Sequence, residues 1–291
     1  MASKFINPYT DFGFKKLFGE EANKDLLIDF LNTLLPPKHQ IATLEFRNAD
    51  QLGDSYVDRR AIYDIYCENE KKEPFIVEMQ KAEQEFFKDR SVYYVTHPIR
   101  KQGQKGLWNY QQLTVYFIGI LDFQYDKDNP EPDLICKASL KDQHGREFYE
   151  KLQLIYIQMP LFTKTETELE THRDKWLYFL KNLPSLEQIP VIFNEEVFKK
   201  AFQTAEIAAM PEMEREIYQF ELDGYRTYLA TIETAEKKGK AKGREEGIAI
   251  GEAKRQADKI ETARNLKHLG VDCETIAKAT GLSRNEIERL N

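Results

Sequence analysis

Apolar positions recur along this chain in two rhythms, and the switches between them divide it into elements. Near the start, Phe12, Phe14, Leu17 and Phe18 follow Asp11 at helical spacing, so Asp11 reads as the N-cap of a short helix that Gly19 stops. Asn23 reads as the cap of a second helix over 24–35, with Leu26, Leu27, Phe30 and Leu31 on one broad face, closed by Pro36 and Pro37. Residues 41–46 read as a first strand and the polar stretch 47–58 as a loop. The stretch 62–80 holds two β-forming runs. Ile62, Tyr63, Ile65 and Tyr66 surround Asp64, and Phe75, Ile76 and Val77 lead to Glu78 and Gln80. The charged residues 68–74 between them predict a hairpin turn.

Beyond Gln80 the rhythm becomes helical over 85–105, with His97-Pro98 as a point where that helix kinks or breaks. The run 113–123 is the most hydrophobic, and its length suits a strand buried on both faces. Two further strands are expected at 134–139 and 151–159, then a helix over 166–180. A loop with two prolines follows, and from 194 the pattern is helical nearly to the end, interrupted near Met210-Pro211. These patterns predict an α/β domain over 5–180 with a central mixed sheet flanked by helices, a helical extension over 187–234, and a distinct segment over 235–291.

That last segment places Gly239, Gly243, Gly247 and Gly251 four apart, one slowly drifting stripe on a helix. It is basic as well, with ten Lys and Arg against six Asp and Glu over 236–269. Three readings stay open for it: close helix–helix packing in a homodimer, a flexible basic linker that orders on DNA, or low-complexity repetition without a role. At the very end, Asp272 caps one short helix, Gly281 turns the chain, and Ser283 to Glu286 forms a capping box for another. The pattern is that of a helix-turn-helix that reads DNA or of a plain helical hairpin.

The chemistry concentrates at 64–80. In a strand, residues two apart share a face, so Glu78 and Gln80 project together, and pairing of the two strands brings Asp64 beside Glu78. Two hard carboxylates at one point suit Mg²⁺ or Mn²⁺, which take oxygen ligands and retain several waters. On the following helix Arg90, Tyr94, His97 and Lys101 fall on one stripe, either as cations and rings for a phosphodiester strand or as core tyrosines with a paired arginine. Arg59 and Arg60, just before the Asp64 strand, either touch phosphate or end the strand in solvent.

Asp64, a hairpin and then Glu78-Met-Gln80 together resemble the PD-(D/E)xK nuclease signature, with Gln80 where most members carry Lys. The ordered set is similar to the Rpn family of recombination-promoting nucleases, often labelled transposases. It comprises Asp11-Phe-Gly-Phe-Lys-Lys-Leu-Phe-Gly19, Ile76-Val-Glu-Met-Gln80, Phe87-Lys-Asp-Arg90, Tyr93-Tyr94, Gly106 with Tyr110, and Val115-Tyr-Phe-Ile-Gly-Ile-Leu-Asp-Phe123. The resemblance implies a restriction-endonuclease-like fold and a metal-dependent DNA endonuclease linked to recombination or mobile elements. It implies Asp64, Glu78 and the Met79 carbonyl as Mg²⁺ or Mn²⁺ ligands, and Gln80 as the residue positioning water or phosphate. Arg90, Tyr94 and Lys101 become DNA contacts, and Asp11 or Glu20 a further acid from the first helix. Gln is neutral and cannot be a general base, which leaves a second expectation: a DNA-binding scaffold that keeps the fold with weak or no turnover.

Composition adds bounds. The 291 residues suffice for one sizeable core plus an appendage. No apolar run approaches the roughly 18 residues of a membrane span, and the N-terminus lacks an apolar signal core. Three scattered cysteines support neither a disulfide framework nor a zinc site, so a cytoplasmic, reducing location is expected. A net charge of −7 disfavours indiscriminate nucleic-acid binding but leaves room for a local basic face.

Overall fold

Glu78 and Gln80 lie at the end of the strand that joins the two halves of a mixed sheet. The computed structural model describes residues 3–51, 61–103 and 106–290. Its strands are β1 (Leu44–Phe46), β2 (Asp50–Gln51), β3 (Ala61–Ile62), β4 (Ile65–Asn69), β5 (Pro74–Gln80), β6 (Val115–Leu121), β7 (Ile135–Lys141) and β8 (Glu147–Gln158). Six form one sheet in the order β1-β4-β5-β6-β8-β7, and β2 and β3 pair separately. β4 and β5 are an antiparallel hairpin, whereas β5, β6 and β8 run parallel. The hairpin turns through Lys72, which adopts φ 62°. The Asn69 side chain braces that turn by accepting from the Lys71 and Glu73 N–H groups.

A parallel step needs a crossover, and the helix α3 (Phe87–Lys101) supplies it between β5 and β6. α3 is unbroken at Pro98, which lies inside it. Every residue of β5 and β6 is buried, as expected for strands covered on both faces. On one face Phe87 and Val95 of α3 pack with Ile76, Phe117, Leu121 and Tyr156. The alternate side chains Phe75, Val77, Ile118 and Ile120 are buried on the other face.

The other helices of this unit are α1 (Asp11–Phe18), α2 (Lys24–Asn32), α4 (His172–Asn182) and α5 (Glu196–Ala205). They share an aromatic core in which Trp176 contacts Phe18, Phe30 and Phe198. The N-cap of α1 is Thr10, whose Oγ1 accepts from the Gly13 N–H at 3.0 Å, and not Asp11, which occupies the first helical turn. Gly13 stands three residues after Thr10, at the position whose N–H an N-cap side chain accepts, whereas Asp11 is already in the helix. The expected helix over 166–180 begins only at His172, where Thr171 and Asp174 form a capping box.

By internal contacts the chain divides into two units, 1–224 and 225–291. Residues 187–224 thus lie with the sheet domain, because α5 packs on α1 and α2, and the first turns of α6 (Glu212–His268) bond back to α1. Tyr218 accepts the Asn7 N–H at 2.8 Å, and Glu221 accepts the Phe12 N–H at 2.6 Å. In the second unit, the end of α6 packs with α7 (Cys273–Thr280) and α8 (Arg284–Glu288) around Ala263, Ile276, Leu282 and Ile287. Lys267 closes this small core by donating to the Ile287, Glu288 and Leu290 carbonyls. α8 is five residues long, and its Arg284 pairs with Glu288 at 3.0 Å. Among the described residues no helix is long and apolar enough to cross a membrane.

Candidate active site

The candidate site forms where the β-ladder between β4 and β5 stops. The sequence pattern places Asp64 within a strand, but the chain bends there, after β3 and before β4. The last ladder pair is Ile65 with Val77, so Asp64 and Glu78 stand opposite each other one step beyond it. Side chains replace the missing ladder. The Asp64 N–H donates to Glu78 Oε1 at 3.1 Å, and the Met79 N–H donates to Asp64 Oδ2 at 2.7 Å. Each carboxylate is thereby aimed by the backbone of the other's strand.

Glu78 and Gln80 share the face of β5 that α3 covers. Gln80 donates from Nε2 to Glu78 Oε2 at 3.0 Å and accepts at Oε1 from the Arg90 guanidinium. Arg90 also donates to Gln84. The result is a chain, Arg90 to Gln80 to Glu78, in which the neutral amide is fixed in one orientation by a cation behind it. Where the signature has a lysine, this protein sets its positive charge one residue further back.

Burial pushes the Glu78 carboxyl well above the usual carboxylate range, and the Asp64 charge beside it adds to the rise. The Asp64 N–H, Arg90 and the Gln80 amide oppose this without reversing it. The Asp64 carboxyl is raised as well, chiefly by burial and then by Asp11, against the Met79 N–H, Lys15 and Lys81. Two neighbouring carboxyls that resist ionisation form a site short of positive charge.

The donor set suits a hard divalent cation. Asp64 uses only Oδ2, and among the described residues Oδ1 accepts no hydrogen bond. The Gln80 carbonyl accepts from Asp122 toward β6, so by strand alternation the Met79 carbonyl points the opposite way, to the Asp64 side. Among the described residues no group of three or more His, Cys, Asp or Glu side chains gathers to hold a metal. Mg²⁺ is commonly held by one or two carboxylates with water and substrate oxygens completing its shell.

A cleft of about 320 Å³ opens from Asp64 toward α1, lined by Asp11, Lys15, Lys16 and Glu20. The two acids expected there are both engaged with lysines: Asp11 with Lys15 at 2.9 Å and Glu20 with Lys16 at 3.1 Å. Glu221 also lines the cleft, a residue with no local sequence signal because it arrives from α6. The α3 stripe divides. Arg90 reaches Gln80, and its guanidinium lies 5.8 Å from the Tyr94 ring, which packs edge-on against Tyr63 at 5.1 Å. Lys101 is three turns further on, about 16 Å along the axis, beside Arg47, Glu68 and Lys72 instead. Arg59, Arg60 and the end of the polar stretch 47–58 lie outside the described residues.

Comparison with curated proteins and with solved structures finds no match. A family model does match: that of the PD-(D/E)XK nuclease family transposases, over residues 8–235. The match spans the sheet, the carboxylate pair and the helices around them, and it carries a nuclease or mobile-element role. With most of its length covered, and a mixed sheet of the expected kind beneath Asp64, Glu78 and Gln80, the chain belongs to the PD-(D/E)XK nuclease family transposases.

Proposed function

We propose that this protein is a divalent-metal-dependent endonuclease that hydrolyses DNA phosphodiester bonds during recombination or transfer of mobile elements. The observation that carries the reading is the crossed pair of Asp64 and Glu78, each aimed by the other's backbone and both held short of positive charge. Asp64 Oδ1, Glu78 and the Met79 carbonyl would hold Mg²⁺ or Mn²⁺. When bound, the cation supplies a Lewis acid and an acidified water at neutral pH.

The protein's own groups do the positioning. Gln80 keeps Nε2 against Glu78, which orients that carboxylate and offers a neutral donor at the site's edge. Arg90 holds the amide in that sense and places a cation near the scissile phosphate. Tyr94 backs Arg90. On the α1 side of the cleft, Lys15 and Lys16 balance Asp11 and Glu20, and a DNA backbone lying there would exchange one of these pairs for a phosphate.

Incubation of supercoiled plasmid with the purified protein tests this directly, with Mg²⁺, Mn²⁺, Ca²⁺ or EDTA, beside Asp64→Ala and Glu78→Ala. Nicking or linearisation that requires Mg²⁺ or Mn²⁺ and disappears in both variants is the expected result. DNA binding without cleavage by the wild type would favour the scaffold reading. Cleavage that survives both substitutions would sink the site assignment.

A further inference from the structure

A second cleft, of about 640 Å³, opens at the start of α3. Its walls include Ile62, Gln84, Phe86, Arg90 and Tyr93. Three of these are apolar or aromatic side chains left in solvent: Phe86 is 65% exposed, Ile62 57% and Tyr93 38%. A phenylalanine ring two-thirds exposed contributes little to a core, and here it stands at the N-cap position of α3, where it makes no capping bond. Arg90 belongs to both places: it lines this cleft and donates to Gln80 at the site. Arg90 is therefore the link between the cleft and the candidate active site.

We propose that this cleft receives an unpaired nucleobase of the strand being cut, stacked on Phe86 and Tyr93. The inference rests on the nuclease reading and narrows its substrate to nucleic acid that is single-stranded, or has an extruded base, next to the scissile phosphate. Ring faces and an aliphatic wall suit a base, which every nucleotide presents as a flat π surface. Glu85 and Asp89 also line the cleft, and their charge repels a phosphate while their oxygens accept from exocyclic amino groups. The Gln84 amide, braced by Arg90, stands at the same wall for a base edge. A base held here leaves its phosphate near Arg90 and Gln80. A base still paired in a duplex cannot enter such a cleft, so its occupation requires unstacking.

Binding of 2-aminopurine oligonucleotides tests the assignment, with Ca²⁺ present, comparing a single strand with a blunt duplex of the same sequence. The wild type is expected to bind the single strand about ten-fold more tightly and to quench its fluorescence. Phe86→Ala should lose the preference and the quench while duplex binding stays unchanged, and Phe86→Tyr should retain both. Equal or tighter duplex binding, absence of single-strand binding, or a Phe86→Ala protein with unaltered affinity and quench would overturn the proposal. The last outcome would point to a protein partner for the exposed face. The plasmid assay separates the two readings. Metal-dependent cleavage with no effect of Phe86→Ala removes the base cleft alone. A quench without any cleavage, on single strand or plasmid, removes the nuclease reading and leaves the cleft as a base-binding site of a DNA-binding scaffold.

Discussion

Replacing Asp64 by Asn isolates the electrostatics of the site from its geometry. The Asn carbonyl can still accept the Met79 N–H that Asp64 Oδ2 accepts at 2.7 Å, and its amide falls where Oδ1 has no bond to lose. What disappears is the negative charge that helps to raise Glu78. Two like unit charges about 5 Å apart at an effective dielectric constant near 20 repel by about 3 kcal/mol. Loss of the attraction to Lys15 and Lys81 offsets part of this. The metal-free variant should therefore be more stable than wild type at pH 8 by about 2 kcal/mol, or about 4–8 °C in Tm. The direction with pH follows from the raised folded-state pKa values. A carboxyl that holds its proton more tightly when folded favours folding at low pH, and that contribution is lost as pH rises through the folded value. The gap between variant and wild type should accordingly close toward pH 5. Thermal unfolding in EDTA at both pH values measures it, with plasmid cleavage lost in the variant. A variant less stable than wild type at pH 8, or equally shifted at both pH values, would refute the electrostatic account.

Arg90→Gln removes the cation behind the Gln80 amide, and a charged hydrogen bond is worth about 1.5–3 kcal/mol, so cleavage should fall by up to roughly 100-fold, with a lowered Tm reporting whatever part of that bond stabilises the fold. Adding Gln80→Lys to that variant returns a cation to the chain and should recover part of the rate; no recovery would show that the charge is not what matters. Gly13→Ala would drive a methyl to 2.2 Å from the Asn7 carbonyl oxygen and 2.8 Å from Thr10 Oγ1, costing about 1–3 kcal/mol, read as a lower denaturant midpoint. Changing Gly239, Gly243, Gly247 and Gly251 together to Ala meets no atom within 4 Å and should raise helicity by circular dichroism, each site gaining about 1 kcal/mol. Sedimentation of the same protein distinguishes the packing role, since a dimer that needs those glycines would come apart.

The elements that carry the sheet were legible because burial on both faces leaves a plain mark. Residues 115–121, and 75–77 leading to Glu78, are apolar runs with no competing period. Adjacency of Asp64 and Glu78 was equally readable from hairpin logic, since a charged turn separates two β-forming runs. The bend at Asp64 was not, because Ile62, Tyr63, Ile65 and Tyr66 have the composition of an unbroken strand. Only the reciprocal bonds with Glu78 and Met79 explain why the ladder yields there. The Arg90 to Gln80 bond was also hidden: the helical stripe groups Arg90 with Lys101, while distance along the axis separates them. Glu221 and Tyr218 lie more than two hundred residues from their partners Phe12 and Asn7, and no local pattern links them.

The break in the ladder makes folding and chemistry share one set of atoms. The amides of Asp64 and Met79 would, in an ordinary hairpin, be tied to a neighbouring backbone; here they depend on carboxylates. Truncating either acid to Ala strands a donor at a strand end, which ordinarily costs about 1–3 kcal/mol. An inactive alanine variant is consequently ambiguous on its own, because it can fail by loosening the hairpin as well as by losing a ligand. Selection acting on such a pair would find few neutral routes: each acid is kept in place twice over, by what it orients and by what it would expose.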